Sequence, residues 1–112
     1  MGYVSDVAIV LSSEDYERFT SQSSGHTLDL WLSATKQAFV RDDGSQWVAL
    51  QWHDLKWFKG FYEEVDTIEA FLETVPHEFL RSGEELEDTE HENTSEYYDI
   101  LFVEKKIILN LY

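Results

Sequence analysis

Two aromatic and β-branched runs, residues 37–41 and 46–52, flank the polar loop Asp42-Asp43-Gly44-Ser45. The loop carries a glycine where a positive φ is usually needed, so the two runs are expected to close as a β-hairpin. A hairpin commits the middle of the chain to antiparallel pairing, and the remaining elements must be arranged about it. Before it, residues 6–11 read as a strand, an apolar run rich in Val and Ile that stops at Ser12 and Ser13. Ser12 and Asp15 have capping-box spacing, and Tyr16 and Phe19 follow on one helical face. After an interruption over residues 21–25, Leu28, Trp31 and Leu32 predict a second short helix or a continuation of the first.

Beyond the hairpin, Val65, Ile68, Phe71, Leu72 and Val75 recur at helical spacing. They predict a helix over 63–75, opened by two glutamates that suit the helix dipole and closed by Pro76. Residues 77–82 and 97–103 predict further strands, the second running on or turning back through Lys105-Lys106 into residues 107–111. This order predicts an α+β fold in one domain over residues 1–112. Its antiparallel sheet carries helices on one face, laid out as a split βαβ (ferredoxin-like) unit with one or two added strands.

Catalytic and cofactor chemistry finds little support. With no cysteine, disulfides, thiolate catalysis and cysteine-held zinc or iron–sulfur clusters are excluded. His26, His53, His77 and His91 show no metal-ligand spacing, and His77-Glu78 begins like a zincin helix without its second histidine. Residues 84–92 lack the central glycine of a calcium loop, and no phosphate-cradling or nucleophile-elbow motif occurs. Carboxylate pairs such as Glu63-Glu64 and Glu87-Asp88 arise by chance at this acid content, so a non-enzymatic protein without cofactor or metal is expected. The N-terminus has no basic region, the apolar run over 7–11 is too short to span a membrane, and Asp6 breaks the myristoylation pattern. An intracellular, cytoplasmic protein is expected.

Charge is the more informative signal. The chain has 23 acidic and 8 basic side chains, a net charge of −15 that disfavours direct contact with nucleic acid or anionic membrane. Residues 61–112 hold fifteen of the acids against three bases. Within them Glu84, Glu85, Glu87, Asp88, Glu90 and Glu92 fall in nine residues, a concentration that costs self-repulsion. If that segment is extended, Asp88, Glu90 and Glu92 project from one side about 6.7 Å apart. On the preceding helix Asp66, Glu69 and Glu73 share a face, with rises of roughly 4.5 and 6 Å. Both spacings are of the order of phosphate separation in nucleic acid, whereas the alternative is a solvated loop beside an ordinary amphipathic helix.

Aromatic residues form the second signal. Trp47, Trp52, Trp57, Phe58, Phe61 and Tyr62 are interleaved with Lys56 and Lys59, more rings than one strand and a loop easily bury. Trp47 and Trp52 differ in parity, so an unbulged strand points them to opposite faces of the sheet. One of them is a candidate for exposure and Trp57 a candidate anchor for a partner, whereas the alternative is that these rings are core and sheet-covering residues.

Lys56-Trp57, Val65, Ile68, Phe71-Leu72, Phe79, Arg81, Gly83-Glu84, Glu87-Asp88 and residues 98–103 together resemble a family of small acidic proteins of phages and bacterial mobile elements. In size and charge the chain is also similar to phage antagonists of host defence: DNA-mimic anti-restriction proteins, anti-CRISPR proteins and uracil-glycosylase inhibitors. The resemblance implies a setting in the bacterial host cytoplasm and, as partner, a basic host nuclease, CRISPR, restriction or repair protein. The leading expectation is a stoichiometric inhibitor that mimics nucleic acid through Asp66, Glu69, Glu73, Glu84, Glu85, Glu87, Asp88, Glu90 and Glu92, with Trp57 as apolar anchor. The alternative is an immunity or adaptor module that recognises its partner without mimicry. A homodimer through residues 107–111 is a third reading.

Overall fold

A computed structural model describes residues 3–85, 87–103 and 107–111. The stretch through Lys105-Lys106, expected either to run on or to turn back, lies outside the described residues. Strand β1 (Ser5–Ser12) leads into helix α1 (Ser13–Gln22), whose cap is Ser12, its Oγ accepting the Asp15 amide at 3.1 Å. The chain then breaks at Ser23, and Gly25, at φ +59°, opens a separate helix α2 (Gly25–Leu32).

The hairpin forms between β2 (Thr35–Val40) and β3 (Gln46–Leu55). Gly44 takes φ +85° in its turn, and Asp43 Oδ1 accepts both the Ser45 amide and hydroxyl, at 2.9 and 2.6 Å. Helix α3 (Glu63–Leu72) ends three residues earlier than the periodicity suggests, in a turn through Val75. Then follow β4 (His77–Gly83), β5 (Thr89–Asn93), β6 (Leu101–Val103) and β7 (Ile107–Leu109).

Five strands make one antiparallel sheet in the order β2-β3-β1-β4-β5, and β6 pairs with β7 in a ribbon of its own. The α+β class is as expected, but the strand arrangement and count differ. The acidic run itself contributes β5, residues 97–103 are strand only over Leu101–Val103, and the last two strands form a ribbon apart from the sheet.

Burial on both faces explains the composition of β1, where Val7 to Leu11 are all 0% exposed. On one face Val7, Ile9, Leu11, Leu50, Trp52 and Phe79 pack against α1, α2 and α3 through Phe19, Trp31, Val65, Ile68 and Leu72. On the other, Ala8, Val10, Trp47, Ala49 and Leu80 are covered by Leu101 and Ile107 of the ribbon. Trp47 and Trp52 do point to opposite faces, but both faces are covered, leaving 6% and 5% exposure, so neither is the exposed candidate and both are core residues, as the alternative reading has it. Tyr97 packs edge-on against Trp47 at 5.4 Å, and the Arg41 guanidinium lies over both rings, 4.4 and 4.0 Å from their centroids. That burial lowers the Arg41 pKa from its ordinary value, while the Tyr97, Glu78 and Asp43 charges oppose the fall.

Candidate functional site

The acidic positions come together where the C-terminal half of α3 faces the edge strand β5. Antiparallel pairing sets Glu90 opposite Arg81 and Glu92 opposite Phe79, so both glutamates lie on the helix-bearing face of the sheet. Glu69 and Glu73 approach from α3, and a groove of about 190 Å³ forms between them, lined also by Lys59 and His77. Two segments separated by some twenty residues thus supply one surface.

Several of these carboxylates already have partners. Glu69 Oε2 accepts the Trp57 indole N–H at 3.0 Å and lies 3.5 Å from Lys59 Nζ. Glu92 Oε1 is 2.7 Å from Nε2 of the buried His77, and Glu90 Oε2 accepts Arg81 Nε–H at 2.8 Å. Glu73 is exposed at the C-terminus of α3 with its side chain free to meet a partner. Asp66 sits apart on the first turns of α3, accepting the Gly60 amide at 2.8 Å, and does not line the groove.

The turn between β4 and β5 carries the rest. Glu84 accepts the Val4 amide at 3.1 Å, the Glu85 amide donates to Tyr3 Oη at 3.1 Å, and the Glu85 and Glu87 residues are exposed. Asp88 is clamped by Arg81 and accepts the Tyr3 hydroxyl at 2.6 Å. The Arg81 hydrogen bond first, then that of Tyr3, lowers the Asp88 pKa to about 2. The Arg81 pKa is raised by the same pairing, and Asp88 raises that of Tyr3 by accepting a hydrogen bond from its protonated hydroxyl.

Trp57 requires a correction. It is 4% exposed, in the core between Trp52 and Phe79, so its ring is closed to a partner. Among the described residues the exposed rings include Phe61, at 85%, Tyr98, at 94%, and Phe102, at 39%; Phe61 belongs to the aromatic cluster visible in sequence, the other two do not.

Sequence reasoning also missed Glu78, a carboxylate only 1% exposed beneath the ribbon. Its signal was its parity: within β4 it shares the face of Leu80, which a two-sided sheet buries. Glu78, His91 and Asp99 bring ligand-type atoms within 4.8 Å of one another, the one such group among the described residues. No protein-family model matches the chain, and no curated protein or solved structure does so significantly.

Proposed function

We propose that this protein is a small acidic binding protein whose α3–β5 face occupies the basic surface of a nucleic-acid-binding host protein, acting as a stoichiometric inhibitor and not as an enzyme. The observation that carries this reading is the convergence of Glu69 and Glu73 with Glu90 and Glu92 on one groove. Together with Glu84, Glu85, Glu87 and Asp88 on the adjoining turn, this face has eight carboxylates against Lys59, Arg81 and His77. The excess favours a cationic partner and steers its approach, and an acidic face repels nucleic acid and anionic lipid.

The resemblance to phage and mobile-element proteins supports a bacterial host cytoplasm, and a nuclease, CRISPR, restriction or repair protein as partner. For the fold we propose a split βαβ, ferredoxin-like core with β5 and the ribbon as additions; β3 lying between β1 and β2, and β1 between β3 and β4, supports it.

A second reading, an immunity or adaptor module without mimicry, draws on Phe61 and Tyr98, exposed rings of the kind that anchor interfaces. The test is capture of bacterial proteins by the tagged chain from nuclease-treated lysate, washed at low and then high salt. A nucleic-acid-binding protein that elutes with salt, is displaced by duplex DNA and is lost with Glu73→Lys plus Glu87→Lys supports the inhibitor. Salt-resistant capture that survives charge reversal but fails with Phe61→Ala overturns it in favour of the second reading.

A further inference from the structure

Glu78 and His91 project from β4 and β5 onto the sheet face opposite the helices; His91 pairs with Leu80, whose side chain packs there. Glu78 Oε2 stands 2.7 Å from His91 Nε2, and Asp99 Oδ1, from the segment leading into β6, stands 3.9 Å from that same nitrogen. Three separate stretches of chain thus aim one imidazole and two carboxylates at a common point. The 3.9 Å separation is too long for a hydrogen bond, yet it suits two ligands of one ion. Zinc bonds of about 2.0–2.2 Å place tetrahedral ligand atoms roughly 3.3–3.6 Å apart, so an ion replaces the proton of the 2.7 Å Glu78–His91 hydrogen bond as that pair opens by under about 1 Å, while the 3.9 Å His91–Asp99 gap closes slightly.

Outer partners hold the carboxylates in place. The Ile100 amide donates to Glu78 Oε1 at 2.9 Å, while Leu101 N lies 3.3 Å from Oε2. Asn93 Nδ2 donates to Asp99 Oδ1 at 2.7 Å. Such second contacts orient metal ligands and raise their affinity. Two carboxylates facing one imidazole, in a chain of charge −15, also favour a divalent cation.

We propose that Glu78, His91 and Asp99 form a site for a divalent transition-metal ion of the zinc type, which fastens the β6–β7 ribbon to the sheet. The mixed nitrogen and oxygen donors select such an ion over calcium or magnesium, which prefer oxygen alone. Glu78, His91 and Asp99 leave at least one coordination position for water.

The test is a titration of the full chain with Co²⁺, read by its visible absorption, with Zn²⁺ as competitor and bound metal counted by elemental analysis after dialysis. One ion per chain, displaced by Zn²⁺ but not by a large excess of Mg²⁺, is expected. Asp99→Asn, at a side chain 58% exposed, should weaken binding at least tenfold, and Asn93→Ala by about tenfold, the circular dichroism spectrum checking the fold of each. His91→Ala should abolish it, with the circular dichroism spectrum confirming the fold. Glu85→Gln plus Glu87→Gln should leave it unchanged. The absence of saturable binding overturns the site, as does binding that survives Asp99→Asn and His91→Ala or is equally weakened by the Glu85 and Glu87 pair.

Discussion

Arg81 holds Asp88 in a two-pronged ion pair, with Nη2 2.5 Å from Oδ1 and Nη1 3.2 Å from Oδ2, while Nε of the same guanidinium takes Glu90. One arginine therefore pairs with two of the six carboxylates in residues 84–92, and the planar fork fixes where the turn lies against β4. Glu85 and Glu87, exposed on that turn, and Glu73 on α3 are left as the carboxylates most open to a partner.

Acid should release this clamp late. The folded Asp88 pKa, about 2, lies below the ordinary carboxylate range near ~3.9, so the ionised pair stabilises the fold at all pH above that range. The contribution fades as pH falls from about 4 through about 2. Carboxyl-resolved NMR titration should find Asp88 ionised well below the ordinary carboxylate range, and Arg81→Gln should move its midpoint upward toward that range.

Gly83 lies at the end of β4 directly beneath this pair. A Cβ there would collide with Asp88 Oδ2 and with the Tyr3 hydroxyl, the two atoms whose hydrogen bond ties the start of the chain to the turn. Gly83→Ala is expected to cost about 1–3 kcal/mol, as overpacking does, and to raise the Asp88 midpoint. Urea denaturation and the same NMR titration check the two effects together.

Trp31 is the keystone of the helix-bearing face. It is 0% exposed, stacks on Tyr16 at 5.4 Å, meets Phe19 edge-on at 4.6 Å and donates its indole N–H to Thr20 Oγ1 at 2.9 Å. Trp31→Ala should destabilise the protein by about 3–5 kcal/mol in a denaturant melt, through lost burial and the cavity left behind.

Glu69 and Glu73 lie one helical turn apart, yet they should behave differently. Glu69→Ala leaves the buried Trp57 indole N–H without its acceptor and should cost about 1–3 kcal/mol, with a change in tryptophan fluorescence. Glu73→Lys touches no such bond and should hold stability within about 0.5 kcal/mol, while reducing binding of a cationic partner. Paired melts and binding curves separate the structural glutamate from the surface one.

The sequence by itself determined the elements whose signals are local. The hairpin about Gly44, the Ser12 cap and the apolar period of α3 depend on neighbours a few residues away, and each formed about the residues that signal it, although α3 ends at Leu72, short of Pro76. The concentration of charge in the second half was legible for the same reason, since composition needs no fold.

Only the tertiary structure decided which side chains are free. Residues 89–93, all polar or charged, carry no apolar alternation to mark a strand, and become β5 because β4 offers an edge to pair with. Trp47 is buried because a ribbon some fifty residues away covers its face, and Trp57 because the face it joins is already roofed by helices. Glu78, His91 and Asp99 meet through strand pairing and a returning segment. Such encounters depend on long-range packing, whereas the spacing of residues along a chain reports only what the chain does locally.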